Sequence, residues 1–156
     1  MSKGNRKFTP KTFESSKTNG DYSANIYNSM IESPAFNDLT KNQRLLYMYL
    51  KLQYYNSKNH PVKEDKTCFY FNAHMYREKF KLYSNDKQFY NDRDALISHG
   101  FIRVKENGKN TRTKSVYQFS SNWRLYNTVY FKIPACDMSS SLLNKNKHTN
   151  NSDNMK

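Results

Sequence analysis

Cysteine, glycine, proline and acidic residues are all scarce in this chain of 156 residues: two Cys, four Gly, four Pro, and 13 Asp plus Glu against 26 Lys plus Arg. Each shortage excludes something. Cys68 and Cys136 stand far apart in sequence and are no disulfide framework, so a reducing cytosol is the expected home and each thiol is expected to be a small apolar filler or idle. The few glycines form no P-loop, no dinucleotide fingerprint and no Gly-x-Ser-x-Gly elbow. No apolar run approaches the roughly 18 to 20 residues that a spanning helix needs, and residues 1–7 lead into no apolar signal-peptide core. A soluble, unprocessed, cytoplasmic chain is expected. The shortage of acid leaves a net charge of +13 and a pI near 9.7, which favours a polyanionic partner, nucleic acid ahead of a membrane surface.

Side chains that could carry catalysis or hold a metal are equally sparse. His60, His74, His99 and His148 share no metal-ligand spacing, and Cys68 with His74 lacks the second pair that would close a zinc site. Asp92 and Asp94 are two apart on one expected helix, so they point in different directions and form no carboxylate pair. The residues imply no enzyme, no cofactor and no metal.

What is present falls into three stretches. Residues 1–22 carry Lys3, Arg6, Lys7, Lys11 and Lys17 among small polar residues, with Phe8 and Phe13 as the large apolar groups, and are expected to be a disordered basic arm. Residues 127–156, rich in Ser, Asn and Lys toward the end, are expected to be a mostly disordered polar tail. Between them, residues 23–126 have the regular apolar spacing of one folded domain.

Within that domain, residues 24–32 suit a short helix with Ile26, Met30 and Tyr27 on one side, stopped before Ser33-Pro34. Thr40-Lys41-Asn42-Gln43 matches a capping box. From there Leu45, Met48, Tyr49 and Leu52 follow helical spacing, with Leu46 and Leu50 widening the stripe, which predicts a core helix from about residue 41 to 55. Residues 56–67 read as an exposed loop, and 68–71 as a short strand. Asn72 is a plausible cap for a short helix over 73–80. Ser84 offers an N-cap for a third core helix over 84–99 that buries Phe89, Leu96 and Ile97 and ends at Gly100 in a left-handed conformation. Phe101 to Val104 and Ser115 to Phe119 form a hairpin around Asn107-Gly108.

Helix, short strand, helix, tight turn, helix and hairpin is the winged helix order. The run Leu96-Ile97-Ser98-His99-Gly100-Phe101-Ile102 resembles the stretch of winged helix-turn-helix DNA-binding proteins where the recognition helix ends at glycine and the first wing strand begins. Residues 33–46 are similar to the opening of small winged helix proteins from phages, plasmids and conjugative elements of low-GC Gram-positive bacteria. The resemblance covers about residues 35 to 120 and implies an α+β winged helix fold, with three core helices, a C-terminal hairpin wing and a short extra N-terminal helix.

It also implies sequence-specific binding of double-stranded DNA, in transcription regulation or as an accessory factor at a replication or transfer origin. Asn85, Lys87, Gln88, Tyr90 and Asn91 are the candidates for reading bases, since Asn and Gln can pair bidentately with adenine and Lys can reach guanine or phosphate. Arg103, Lys105, Lys109, Asn110, Arg112 and Lys114 on the hairpin are the candidates for gripping phosphates. Basic residues that merely protect a strand edge are the plainer reading of the hairpin. A protein-interaction module and a single-strand or RNA binder remain open as alternatives. The same holds for a homodimer through the Tyr-rich helix and for contacts with replication or relaxosome proteins.

Overall fold

Thr40 and Gln43 close the expected capping box: the Gln43 amide N–H donates to Thr40 Oγ1 at 3.4 Å, and the Thr40 N–H donates to Gln43 Oε1 at 2.8 Å. The computed structural model describes residues 24–55, 60–108 and 114–134. Over these the chain is an α+β fold: short helices at the start, two longer ones, and a three-stranded antiparallel sheet. The basic arm 1–22, the tail from 135 onward, and Lys109, Asn110 and Arg112 lie outside the described residues.

The N-terminal part departs from expectation. Helix occupies Asn28–Ile31 (α1) rather than 24–32, and Tyr27 is exposed while Met30 is buried. A second short helix, Pro34–Asn37 (α2), follows at once. Ser33 caps it by accepting the Phe36 N–H, and Pro34 suits its first position because the missing N–H would have had no partner there. Reading Ser33-Pro34 as a stop overlooked that the same pair starts a helix.

The capping box opens α3, Lys41–Lys51, which tightens into a 3₁₀ turn over Leu52–Tyr55, so the expected span is correct. Its buried face is not the expected one. Leu46, Tyr47, Leu50 and Gln53 point inward, whereas Leu45 and Met48 are 45% and 41% exposed. The helix is apolar at nearly every position from 45 to 50, so spacing alone does not choose a face. The choice falls to packing, with Tyr47 against Phe101 at 5.0 Å between ring centroids.

β1, Cys68–Tyr70, pairs with β3, Val116–Phe119, which pairs in turn with β2, Ile102–Glu106. Phe69, Tyr117 and Val104 are cross-strand partners and share a face with Ile102 and Phe119; Cys68, Gln118 and Arg103 form a row on the other face. The loop before β1 is tied to that second face through Asp65. Its carboxylate accepts the Thr67 amide at 2.9 Å, the Thr67 hydroxyl, the Gln118 side-chain amide at 2.8 Å and the Cys68 thiol. Burial pushes the Cys68 thiol up to about 11, so it stays protonated, in keeping with an apolar filler.

Between β1 and the last helix, His74–Lys79 winds as a π-helical segment, with the Phe80 N–H reaching the Met75 carbonyl. Asn72 caps it as expected, its Oδ1 accepting the Met75 N–H. The turn is closed by Lys81 in the left-handed region, φ 51°, while the Leu82 and Tyr83 amides both donate to the Tyr76 carbonyl.

α4, Asp86–Ser98, buries Phe89, Leu96 and Ile97 as expected. Gly100, φ 78°, ends it in a Schellman arrangement: Gly100 N–H to the Ile97 carbonyl and Phe101 N–H to the Leu96 carbonyl, both 3.0 Å. The C-terminal part is packed back here. Trp123, in the 3₁₀ turn Asn122–Leu125, donates its amide to the Gly100 carbonyl and stacks its ring on Phe101. Tyr126 stacks on His99 and reaches Asp38 at 3.0 Å, and Phe131 and Ile133 carry the packing past residue 126.

Two substitutions test this architecture by denaturant unfolding. A Cβ at residue 100 would sit 2.7 Å from the Trp123 nitrogen and 2.8 Å from the Asn122 carbonyl carbon. Gly100→Ala therefore combines a strained φ with a backbone clash and is expected to lose at least about 2 kcal/mol; a loss below about 0.5 kcal/mol would contradict this packing. Asp65→Ala frees four donors at once and is expected to lose about 2 kcal/mol.

Candidate nucleic-acid interface

α4 starts one residue later than Ser84 would place it. Asn85 takes the cap, with extended backbone and its Oδ1 accepting the Gln88 N–H at 2.9 Å. That correction changes the role of Asn85, because a bidentate contact with adenine needs the side-chain oxygen that already serves the cap. Lys87, Gln88 and Asn91 are all exposed. Their i, i+1 and i+4 positions put them on one face, opposite Phe89 and Leu96.

Tyr90 sits at the border of this face, 44% exposed and packed at its inner edge on Phe89. The Arg93 guanidinium lies 4.7 Å from its ring centroid. Arg93 itself is drawn inward: it is half-buried, ion-paired with Asp94 and set beside Tyr117. This cation ties α4 to β3 and is withdrawn from the outward face. Asp92 is likewise internal, accepting the Tyr83 hydroxyl at 2.7 Å. Buried Asp92 and Asp94 thus serve two separate ties, in line with their expected divergence.

The N-terminal end of α4 is locked to the π-helical segment. Asp86 accepts the Tyr76 hydroxyl and pairs with Arg77, each at 2.5 Å. The Tyr76 hydrogen bond, with Arg77 adding to it, holds the Asp86 carboxyl below the usual range. Next to this lock Lys79 and Lys81 are exposed. Sequence reading passed over them, although the alternation Arg77, Lys79, Lys81 directly before the helix was a visible signal.

On the hairpin, Lys105 and Lys114 are exposed, with the Lys114 ammonium 5.7 Å from the Tyr70 ring centroid. Arg103 differs from expectation: it is half-buried and lines a cleft beside the start of β2. The structure therefore brings Lys87, Gln88 and Asn91 together on α4 and leaves Lys105 and Lys114 on the hairpin, while Asn85 and Arg103 have local duties.

No family model, curated protein or solved structure matches this chain. Among the described residues no group of His, Cys, Asp and Glu is arranged to hold a metal ion, and no helix is long and apolar enough to cross a membrane. Chemically, the exposed set offers amide donors and acceptors flanked by ammonium groups.

Acid should loosen this region first. The Asp65 carboxyl is lowered chiefly by the Thr67 hydroxyl, and that of Asp86 chiefly by the Tyr76 hydroxyl. A carboxyl with a lower value folded than unfolded contributes stability above its unfolded value near 4 and loses it as pH falls through the folded value. Stability measured against pH should therefore fall steeply below about pH 4, and Tyr76→Phe should flatten part of that fall. An unchanged acid limb in Tyr76→Phe would exclude the Asp86 lock.

Proposed function

We propose that this protein binds double-stranded DNA as a winged helix protein, with α4 in the major groove and the β2–β3 hairpin as the wing. The observation that carries the reading is the division of α4 into two faces. Phe89, Leu96 and Ile97 anchor it, and Lys87, Gln88 and Asn91 form a polar face directed to solvent. A groove-reading helix needs that division, because base edges are matched by donors and acceptors on a helix whose other side is fixed.

Further support comes from the order of elements, α3, β1, π-helical segment, α4 and hairpin, and from the pairing of β1 onto β3. The net charge of +13 suits a phosphate backbone. Lys79, Lys81, Lys105 and Lys114 are the described cations suited to phosphates; Lys87, Gln88 and Asn91 are suited to bases. In this reading the protein acts on DNA of a mobile element, as a transcription regulator or at a replication or transfer origin. The exposed Leu45 and Met48 favour one other reading, a protein contact through α3.

Titration with duplex and single-stranded DNA at two salt concentrations tests the proposal. Duplex preference and a steep loss of affinity with salt are expected. Alanine at Lys87, Gln88 and Asn91 together should erase about 1 to 3 kcal/mol of discrimination between sequences. Alanine at Lys105 and Lys114 should weaken all duplexes alike and reduce the salt slope by about 1 per residue. Equal binding of single strands would exclude groove reading in favour of a single-strand binder, and absence of salt-dependent binding to either would leave the protein contact.

A further inference from the structure

Lys51, the last residue of α3, holds its ammonium in an aromatic corner. Nζ lies 5.3 Å from the centroid of the Phe119 ring and 5.8 Å from that of Tyr54, and the two rings stand edge-to-face, 6.3 Å apart. One wall comes from the 3₁₀ turn that continues α3 and the other from β3. The lysine is half-buried, and among the described residues no carboxylate lies within ion-pair distance of it. Of the two rings that face it, the Tyr54 phenol can titrate and the Phe119 ring cannot.

A ring face attracts an ammonium by about 0.5 to 2 kcal/mol, but it does not replace the water that an exposed lysine keeps. Loss of that water disfavours the charged form, so burial lowers the Lys51 ammonium below the usual lysine value. Only the neutral amine has a lone pair with which to attack carbon. Near neutral pH an ordinary lysine holds roughly one amine in a thousand in that form. Lowering the value raises this share faster than it lowers the nucleophilicity of the amine, by analogy with thiols, so the group gains reactivity. The rings also offer an apolar surface to a methyl group once the charge is gone.

We propose that Lys51 is an acylation site, modified at Nζ by small acyl phosphates. The Nζ lone pair forms a bond to the acyl carbon. The bond from that carbon to the phosphate oxygen breaks with its electron pair, phosphate leaves, and the amine gives up a proton to solvent. No oxidant or reductant takes part. The product is a neutral amide whose methyl group can lie against Phe119 and Tyr54, and one positive charge disappears where α3 meets β3. Lys51 is not among the residues proposed to meet DNA, so its acylation stands or falls separately.

The test is reaction of the full folded chain with acetyl phosphate near neutral pH, with peptide mass spectrometry following each lysine. Lys51 should gain acetyl at least about twofold faster than the exposed Lys63 and Lys66. As pH is raised, its rate should level off earlier than theirs. In guanidinium chloride, where the rings no longer cover Lys51, the three lysines should react alike. Tyr54→Ser, which opens one wall of the corner to water, should remove much of the lead; if that variant loses its fold, the guanidinium comparison decides. A Lys51 rate equal to or below those of Lys63 and Lys66 in the folded chain, or a lead that persists in guanidinium chloride, would overturn the site.

Discussion

One backbone conformation supports much of this fold: the left-handed turn at Gly100. It satisfies the last carbonyls of α4, sends the chain into β2, and offers its own carbonyl to Trp123 from the C-terminal segment. No side chain fits there, because the Trp123 nitrogen and the Asn122 carbonyl carbon occupy the place of a Cβ. Three parts of the chain meet at a point where only hydrogen is small enough. The helix proposed to read DNA and the hairpin beside it share this corner.

Around that corner the core is mostly aromatic, and hydroxyl groups orient it. Tyr76 stacks on Phe89 while its hydroxyl reaches Asp86; Tyr83 packs edge-on against Phe89 while its hydroxyl reaches Asp92. Aromatic burial supplies area without much direction, and the hydroxyl to carboxylate bonds add the direction. Arg93, paired with Asp94, lies beside Tyr117 between α4 and β3. The acidic residues of this basic protein that fall in α4 are therefore spent on internal ties. Its outward face is left with Lys87, Gln88 and Asn91.

The legible parts of the sequence were those set by local chemistry. A Thr and a Gln three apart made a capping box, an Asn capped the π-helical segment, and a Gly after Ser98-His99 ended a helix, because each motif is closed by atoms within a few residues. The start of α4 was off by one because Ser84 and Asn85 can both cap, and local chemistry does not rank them. Much of the candidate site was legible for the same reason: anchoring Phe89 and Leu96 automatically turns Lys87, Gln88 and Asn91 outward. Residue type did not show that exposed Asn85 also caps α4 or that Arg103 is half-buried. The cap depends on which of two neighbouring residues takes the Gln88 amide, and the surroundings of Arg103 include residues 120–134, far along the chain.

By itself the sequence determined where most helices and strands begin and end, the single-domain scale of the apolar region, and the large positive charge, since propensity, capping and composition are local or additive. Only the tertiary structure decided which side of α3 is buried, because that helix is apolar on more than one face and Phe101 selects the Tyr47 side. It likewise decided that Arg93, Asp92 and Asp94 turn inward and that residues beyond 126 close over Gly100. The packing of Tyr47 on Phe101 and of Phe131 over Gly100 rests on groups remote in sequence, and no periodicity encodes it.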